Sequence, residues 1–209
     1  MTMRELTPPM ADCCACLVAD TEAQLTTLQT MAARTGFGLT CVGLDAWRAR
    51  GAGDPSVTFF FFHYRVHETD LAAALAEIRG QDDLNLRFSP AIAVVGECTE
   101  QDVLRFIELG FDDIVVLPEA PRILRRRFAS QLNANITYFE TPTYFGPDRR
   151  RAVHDPTAAT RRGHGPSEHT RYQIRRSPRD GIRVLRREIV LSGAPPIPVT
   201  SLAPAYGLP

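Results

Sequence analysis

The run Val57 to Phe62 holds four consecutive phenylalanines and no polar alternation. A strand with one face in water alternates apolar and polar side chains, so an unbroken run reads as a central strand covered by helices on both faces. The stretches around it continue the theme. From about Ala15 to Glu140 short apolar runs alternate with amphipathic stretches in five rounds, the pattern of βα units around a parallel sheet.

Cys14 to Ala19 is the first predicted strand, followed by Thr21-Glu22-Ala23-Gln24, a capping box that opens a helix with Leu25, Leu28, Met31 and Ala32 inward. Gly36 and Gly38 punctuate its end. Leu39 to Val42 is a short second strand, leading into a weak helix around Asp45 to Arg50. After the phenylalanine strand, Thr69-Asp70 caps a helix with Leu71, Ala74, Leu75 and Ile78 on one face. Ala91 to Val95 is the fourth strand, Thr99 to Leu109 the fourth helix with Gly110 as its C-terminal cap, and Ile114 to Leu117 the fifth strand. Pro118 stops that strand, and Pro121 opens an arginine-rich helix running to about Ala134 or beyond.

Charge divides the chain at Thr141/Pro142. The 209 residues carry no net charge, with 24 arginines, no lysine and 24 acids. Before the cut 12 arginines face 19 acids, and after it 12 face 5, so the neutrality is −7 beside +7. Residues 142–209 hold 10 Pro and 6 Gly but only 13 Leu, Ile, Val or Phe, close to the level of about 20% below which a charged chain struggles to fold alone. The expected organisation is an N-terminal arm (1–12), a folded domain (13–140) and a largely irregular Arg/Pro-rich tail (141–209). One island, Gly181 to Leu191, is either an amphipathic helix through Ile182, Leu185 and Ile189 or an alternating strand through Ile182 and Val184.

Several classes are excluded. No stretch approaches the roughly 18 apolar residues of a membrane-spanning helix, and the N-terminus lacks an export signal, so a cytoplasmic location is expected. Five cysteines, an odd number, read as reduced thiols. Cys13-Cys14-x-Cys16 has no matching second pair, which favours small buried side chains over a metal site, and His154, His164 and His169 scatter among Pro, Gly and Arg as solvated residues. No phosphate-binding glycine loop, nucleophile elbow or His-Glu-x-x-His pair is present, so no enzyme, cofactor or metal is expected. A flavodoxin-type site would suit such a sheet, but the Asp20 and Thr99 loops lack a Ser/Thr/Gly run to wrap a phosphate.

The five rounds, together with Gly110-Phe111-Asp112-Asp113-Ile114-Val115-Val116-Leu117-Pro118 and the run to Ile78-Arg79, resemble the receiver domain of bacterial two-component response regulators over roughly Ala15 to Leu132. The resemblance implies a flavodoxin-like doubly wound α/β fold, a five-stranded parallel sheet in the order 2-1-3-4-5, with its site at the C-terminal strand ends where the order reverses. The family phosphorylates an aspartate after strand three, with Mg²⁺ on acids after strand one, a Ser/Thr after strand four and a Lys after strand five. In this chain Asp20 is the one acid left after strand one, His63 stands at the phosphorylated position, Gly96 replaces the Ser/Thr and Leu117 the lysine. Mg²⁺ favours oxygen ligands and transferred phosphoryl groups need neutralising charge, so the implied site does not support the usual phosphorylation. His63 and Asp20 are either a titrating pair or simple packing.

Thr143-Tyr144-Phe145-Gly146-Pro147-Asp148-Arg149-Arg150-Arg151 resembles an element in the C-terminal extensions of some bacterial receiver proteins, with Gly165-Pro166 a degraded echo. Gly-Pro-Asp is expected to turn, setting Tyr144 and Phe145 on one side and the three guanidiniums on the other. The implied protein is a non-catalytic pseudo-receiver adaptor whose interaction residues include Tyr144, Phe145, Asp148, Arg149, Arg150, Arg151, Arg125 and Arg126. Its partner is a signalling protein or a second subunit; the alternative is a regulator that binds nucleic acid through the basic tail.

Overall fold

A computed structural model of the chain describes residues 10–49, 57–148, 168–191 and 197–198. Five strands, β1 (Cys14–Val18), β2 (Leu39–Val42), β3 (Thr58–His63), β4 (Ala91–Val95) and β5 (Asp113–Val116), form a parallel sheet in the order β2-β1-β3-β4-β5. That is the expected doubly wound flavodoxin-like topology. The connecting helices are α1 (Glu22–Thr35), α2 (Gly43–Ala49), α3 (Glu68–Arg79), α4 (Leu84–Arg87), α5 (Glu100–Leu109) and α6 (Pro121–Ser130).

The phenylalanine run explains itself in β3. Every residue from Thr58 to His63 is buried, and the pleat sends alternate rings to opposite faces. Phe59 and Phe61 pack with Leu28, Met31, Leu124 and Phe128 of α1 and α6, while Phe60 and Phe62 pack with Trp47, Leu71, Ile78 and Phe106 of α2, α3 and α5.

Local signals set the helix ends. Thr99 closes a reciprocal capping box with Asp102, and Gly36 and Gly110 end α1 and α5 in the left-handed conformation at φ +84° and +92°. Two expectations need correction, and one element was not foreseen. The third helix starts at Glu68 with His67 before it, and Thr69 instead bonds the His67 ring. A short helix, α4, precedes β4. The last helix stops at Ser130, because the chain must turn through Asn133 at φ +56° into a strand.

The expected irregular tail is, in its described part, a second sheet. Strands β6 (Asn135–Thr141), β7 (Tyr144–Pro147), β8 (Glu168–Ser177), β9 (Gly181–Leu191) and β10 (Ile197–Pro198) pair antiparallel in the order β10-β9-β8-β6-β7. The Gly181 island is therefore a strand, and Gly146-Pro147 lies within β7 instead of forming a turn. The inward face presents Tyr138, Tyr172, Ile174 and Ile182, which join the same core cluster as Phe59 and Phe128. Low aliphatic content is offset by aromatic rings: Phe88 meets Tyr138, Tyr172 and Phe145 at 5.2–5.4 Å between centroids.

Contacts to Phe88, Asn85 and Asp112, which precede β4 and β5, place this second sheet at the N-terminal end of the parallel strands. A buried polar network fastens it there. Arg176 of β8 is fully buried and donates to the Phe88 carbonyl at 2.8 Å, to Gln131 Oε1 at 2.8 Å and to Asp112 Oδ1 at 2.6 Å. Arg79 of α3 donates to Asp112 Oδ2 at 2.7 Å and to the Ser89 carbonyl at 2.7 Å, and the Tyr138 hydroxyl also donates to Asp112. Burial opposes ionisation of Asp112, but the Arg176 and Arg79 guanidiniums outweigh it and hold its carboxyl below the usual range.

Candidate functional site

The site the sequence singled out lies at the opposite end, where β1, β3, β4 and β5 finish. Asp20 follows β1 and is exposed, its backbone N–H donating to Gln24 Oε1 at 2.9 Å in the first turn of α1. His63 ends β3 and is 9% exposed. Its hydrogen bond is local: Nδ1 accepts from the Arg65 backbone N–H at 3.3 Å, and Asp20 acts on it through charge. Burial and the Arg65 guanidinium lower the His63 pKa, and Asp20 partly opposes them. At neutral pH the end of β3 thus holds a neutral imidazole.

The next two residues occupy the neighbouring space. Tyr64 is fixed to β4 by its N–H to the Val94 carbonyl at 3.0 Å, and Arg65 Nε donates to the Tyr64 hydroxyl at 2.9 Å. A Cβ built on Gly96 would sit 3.6 Å from that hydroxyl. Glycine at position 96 thus faces the Tyr64 ring. Leu117 follows β5, its N–H bonded to the Val95 carbonyl at 2.7 Å and its bond to Pro118 cis. Its side chain lines a groove of about 450 Å³ beside Met31 and Leu124, between α1 and the start of α6. Among the described residues, no three His, Cys, Asp or Glu side chains cluster to hold a metal ion.

Cys14 and Cys16 lie on β1, Cys41 on the edge strand β2, and Cys98 in the connection after β4. Cys13, Cys14 and Cys16 are buried, burial pushes the Cys13 thiol up to about 12, and the Cys14 and Cys41 sulfurs lie 4.0 Å apart.

The expected interaction residues separate. Arg125 and Arg126 are exposed on α6. Phe145 turns inward onto Phe88 and lies 4.9 Å from the Arg87 guanidinium, and the Tyr144 hydroxyl donates to the Pro147 carbonyl at 3.2 Å. Asp148 is half-buried, its N–H bonded to the Thr137 carbonyl. Arg149, Arg150 and Arg151 lie outside the described residues, as do His154 and His164, while His169 lies on β8 with its ring 5.2 Å from Phe139.

Sequence reasoning missed Arg79, Asp112, Tyr138 and Arg176 as a group. Alternation at Tyr172, Ile174 and Arg176 was the available signal, hidden because its third member is an arginine. No helix among the described residues is long and apolar enough to cross a membrane.

No protein-family model matches the chain, and no curated protein matches it. Solved structures do. The receiver domain of the sensor histidine kinase PA1611 from Pseudomonas aeruginosa PAO1, a structure with magnesium in its active site cleft, is 21% identical over 56% of this chain and 94% of its own, with a TM-score of 0.43. A signal receiver domain of a histidine kinase from Syntrophus aciditrophicus is 23% identical over 56% and 89%, at a TM-score of 0.41. The chemotaxis regulator CheY4 of Vibrio cholerae is 13% identical over 56% and 97%, at 0.42.

Proposed function

We propose that this chain is a cytoplasmic, non-catalytic pseudo-receiver, an adaptor in two-component signalling that binds another signalling protein or a second copy of itself and is not phosphorylated in the usual way. The observation that carries this reading is the imidazole of His63 at the end of β3, with Tyr64 and Arg65 folded toward Gly96. A phosphoryl group there would find no accepting carboxylate at the end of β3, no lysine after β5 and, among the described residues, no acid cluster to hold Mg²⁺, while Arg65 Nε is committed to the Tyr64 hydroxyl.

Recognition then falls to a surface. On the α5–β5–α6 side, Leu104 and Val116 are 52% and 47% exposed. Exposed Glu100 and Glu108 flank them on α5, and exposed Arg122, Arg125 and Arg126 on α6. Exposed apolar side chains among acids on α5 and arginines on α6 suit a partner of complementary charge, or a second copy turned about a twofold axis. With the switch chemistry absent, partner binding would select the conformation.

Affinity capture from the native cell extract tests the reading, comparing the full chain with a full chain carrying Leu104→Asp and Val116→Asp. Removing residues after Thr141 is a poor test, because it would expose Phe88 and Tyr138. Signalling partners recovered with the natural chain and lost with the variant support the adaptor role, and identical recovery removes this face from it.

A further inference from the structure

The second sheet has two faces of opposite character, and the outward one is basic. Strand alternation and register put Arg171, Gln173 and Arg175 of β8 on it, beside Arg183 and Arg186 of β9. All four arginines are exposed. Arg175 pairs directly across from Arg183, a like-charged arrangement that disfavours the sheet unless something answers it. The acids at hand answer it in part. Glu188 is shared between Arg171 and Arg186, and Asp180 lies 3.8 Å from Arg183, while Arg175 has no ion pair among the described residues.

We propose that this outward face binds single-stranded nucleic acid through its phosphates. Guanidinium groups match phosphate oxygens two at a time, and Arg171 and Arg175 stand four residues apart on one face of β8, about 13.6 Å, with Gln173 between them and Arg183 and Arg186 alongside on β9, so the charges are spread along the strand. The sheet's breadth argues against a duplex groove. β8 is central, and five strands about 4.8 Å apart span roughly 19 Å of backbone, against a major groove about 12 Å wide. An open platform suits a strand laid across it. An acidic protein is less well matched, since Leu185 is the large apolar residue exposed on the described part of this sheet and protein interfaces are organised around buried apolar anchors. The inference is independent of the pseudo-receiver reading.

Fluorescence anisotropy of the full chain with a labelled oligothymidylate tests it. Four phosphate contacts give a log–log salt slope of up to about −2.8, so raising salt from about 50 to 200 mM weakens binding by up to roughly 50-fold. Arg175→Ala with Arg183→Ala should make the slope shallower by about 1.4 and weaken binding at low salt. Arg125→Ala with Arg126→Ala, which removes equal charge from α6, should leave both unchanged. Absence of binding at low salt, or equal loss in the two variants, overturns the proposal. A duplex of the same length bound as tightly overturns the single-strand assignment.

Discussion

Asp112 and Arg176 meet at 2.6 Å with side chains 1% and 0% exposed, joining the start of β5 to the middle of a sheet that the sequence places 64 residues later. Ion pairs this deeply buried owe their value to completeness, since each charge removed from water must be answered in place. Here Asp112 answers two guanidiniums, Arg79 and Arg176. Asp112→Asn should therefore destabilise the chain by roughly 3–5 kcal/mol in urea unfolding. A midpoint unchanged by this substitution would mean that the network does not hold the two sheets together.

Acid should reveal the same group. The folded pKa of Asp112 lies below its ordinary value of 3.8, so its contribution is fully present above that pH and is lost as pH falls through the lower folded value. The stability difference between the natural chain and Asp112→Asn should hold constant from neutrality down to about pH 4 and shrink below it. A difference that shrinks already between pH 6 and 5, in an unfolding series, would contradict the assignment.

His63 should titrate below 6.5. Its folded pKa is depressed, so the stability it contributes is present above 6.5 and erodes as pH falls through the folded value. Ring proton shifts followed by NMR should show the depressed value, a further fall in Asp20→Asn and a rise in Arg65→Ala. A His63 pKa above 6.5 would indicate that Asp20 dominates as a true pair.

Two glycines separate backbone strain from close approach. Gly36→Ala places a side chain at φ +84° in open space and should cost about 1 kcal/mol. Gly110→Ala adds a Cβ that overlaps the Phe145 carbonyl of β7, so its cost should be about twice as large or more. Equal losses in denaturant melts would show that β7 yields freely.

The parallel sheet was readable because its signals are local: an unbroken Phe59–Phe62 run, a cap at Thr99, left-handed glycines at 36 and 110. The second sheet was not, because composition scores Arg176 as a tail charge when each of its three guanidinium nitrogens donates to a group from the other half of the chain. Tyr138, Phe145 and Tyr172 likewise do core work that an aliphatic count overlooks. At the candidate site the residue identities were legible and the contacts were not. Sequence placed His63 near Asp20, but only geometry showed that its hydrogen bond is to the Arg65 backbone and that Tyr64 faces Gly96.

The proposed pseudo-receiver does not carry the usual phosphorylation. Intact-mass spectrometry after incubation with acetyl phosphate and Mg²⁺ tests it most directly, on the natural chain and on His63→Asp. Neither should gain the mass of a phosphoryl group, because Gly96 and Leu117 still deny the transferred group its hydroxyl and its cation. A stable phospho-form of the natural chain would mean that the site at His63 accepts a phosphoryl group after all.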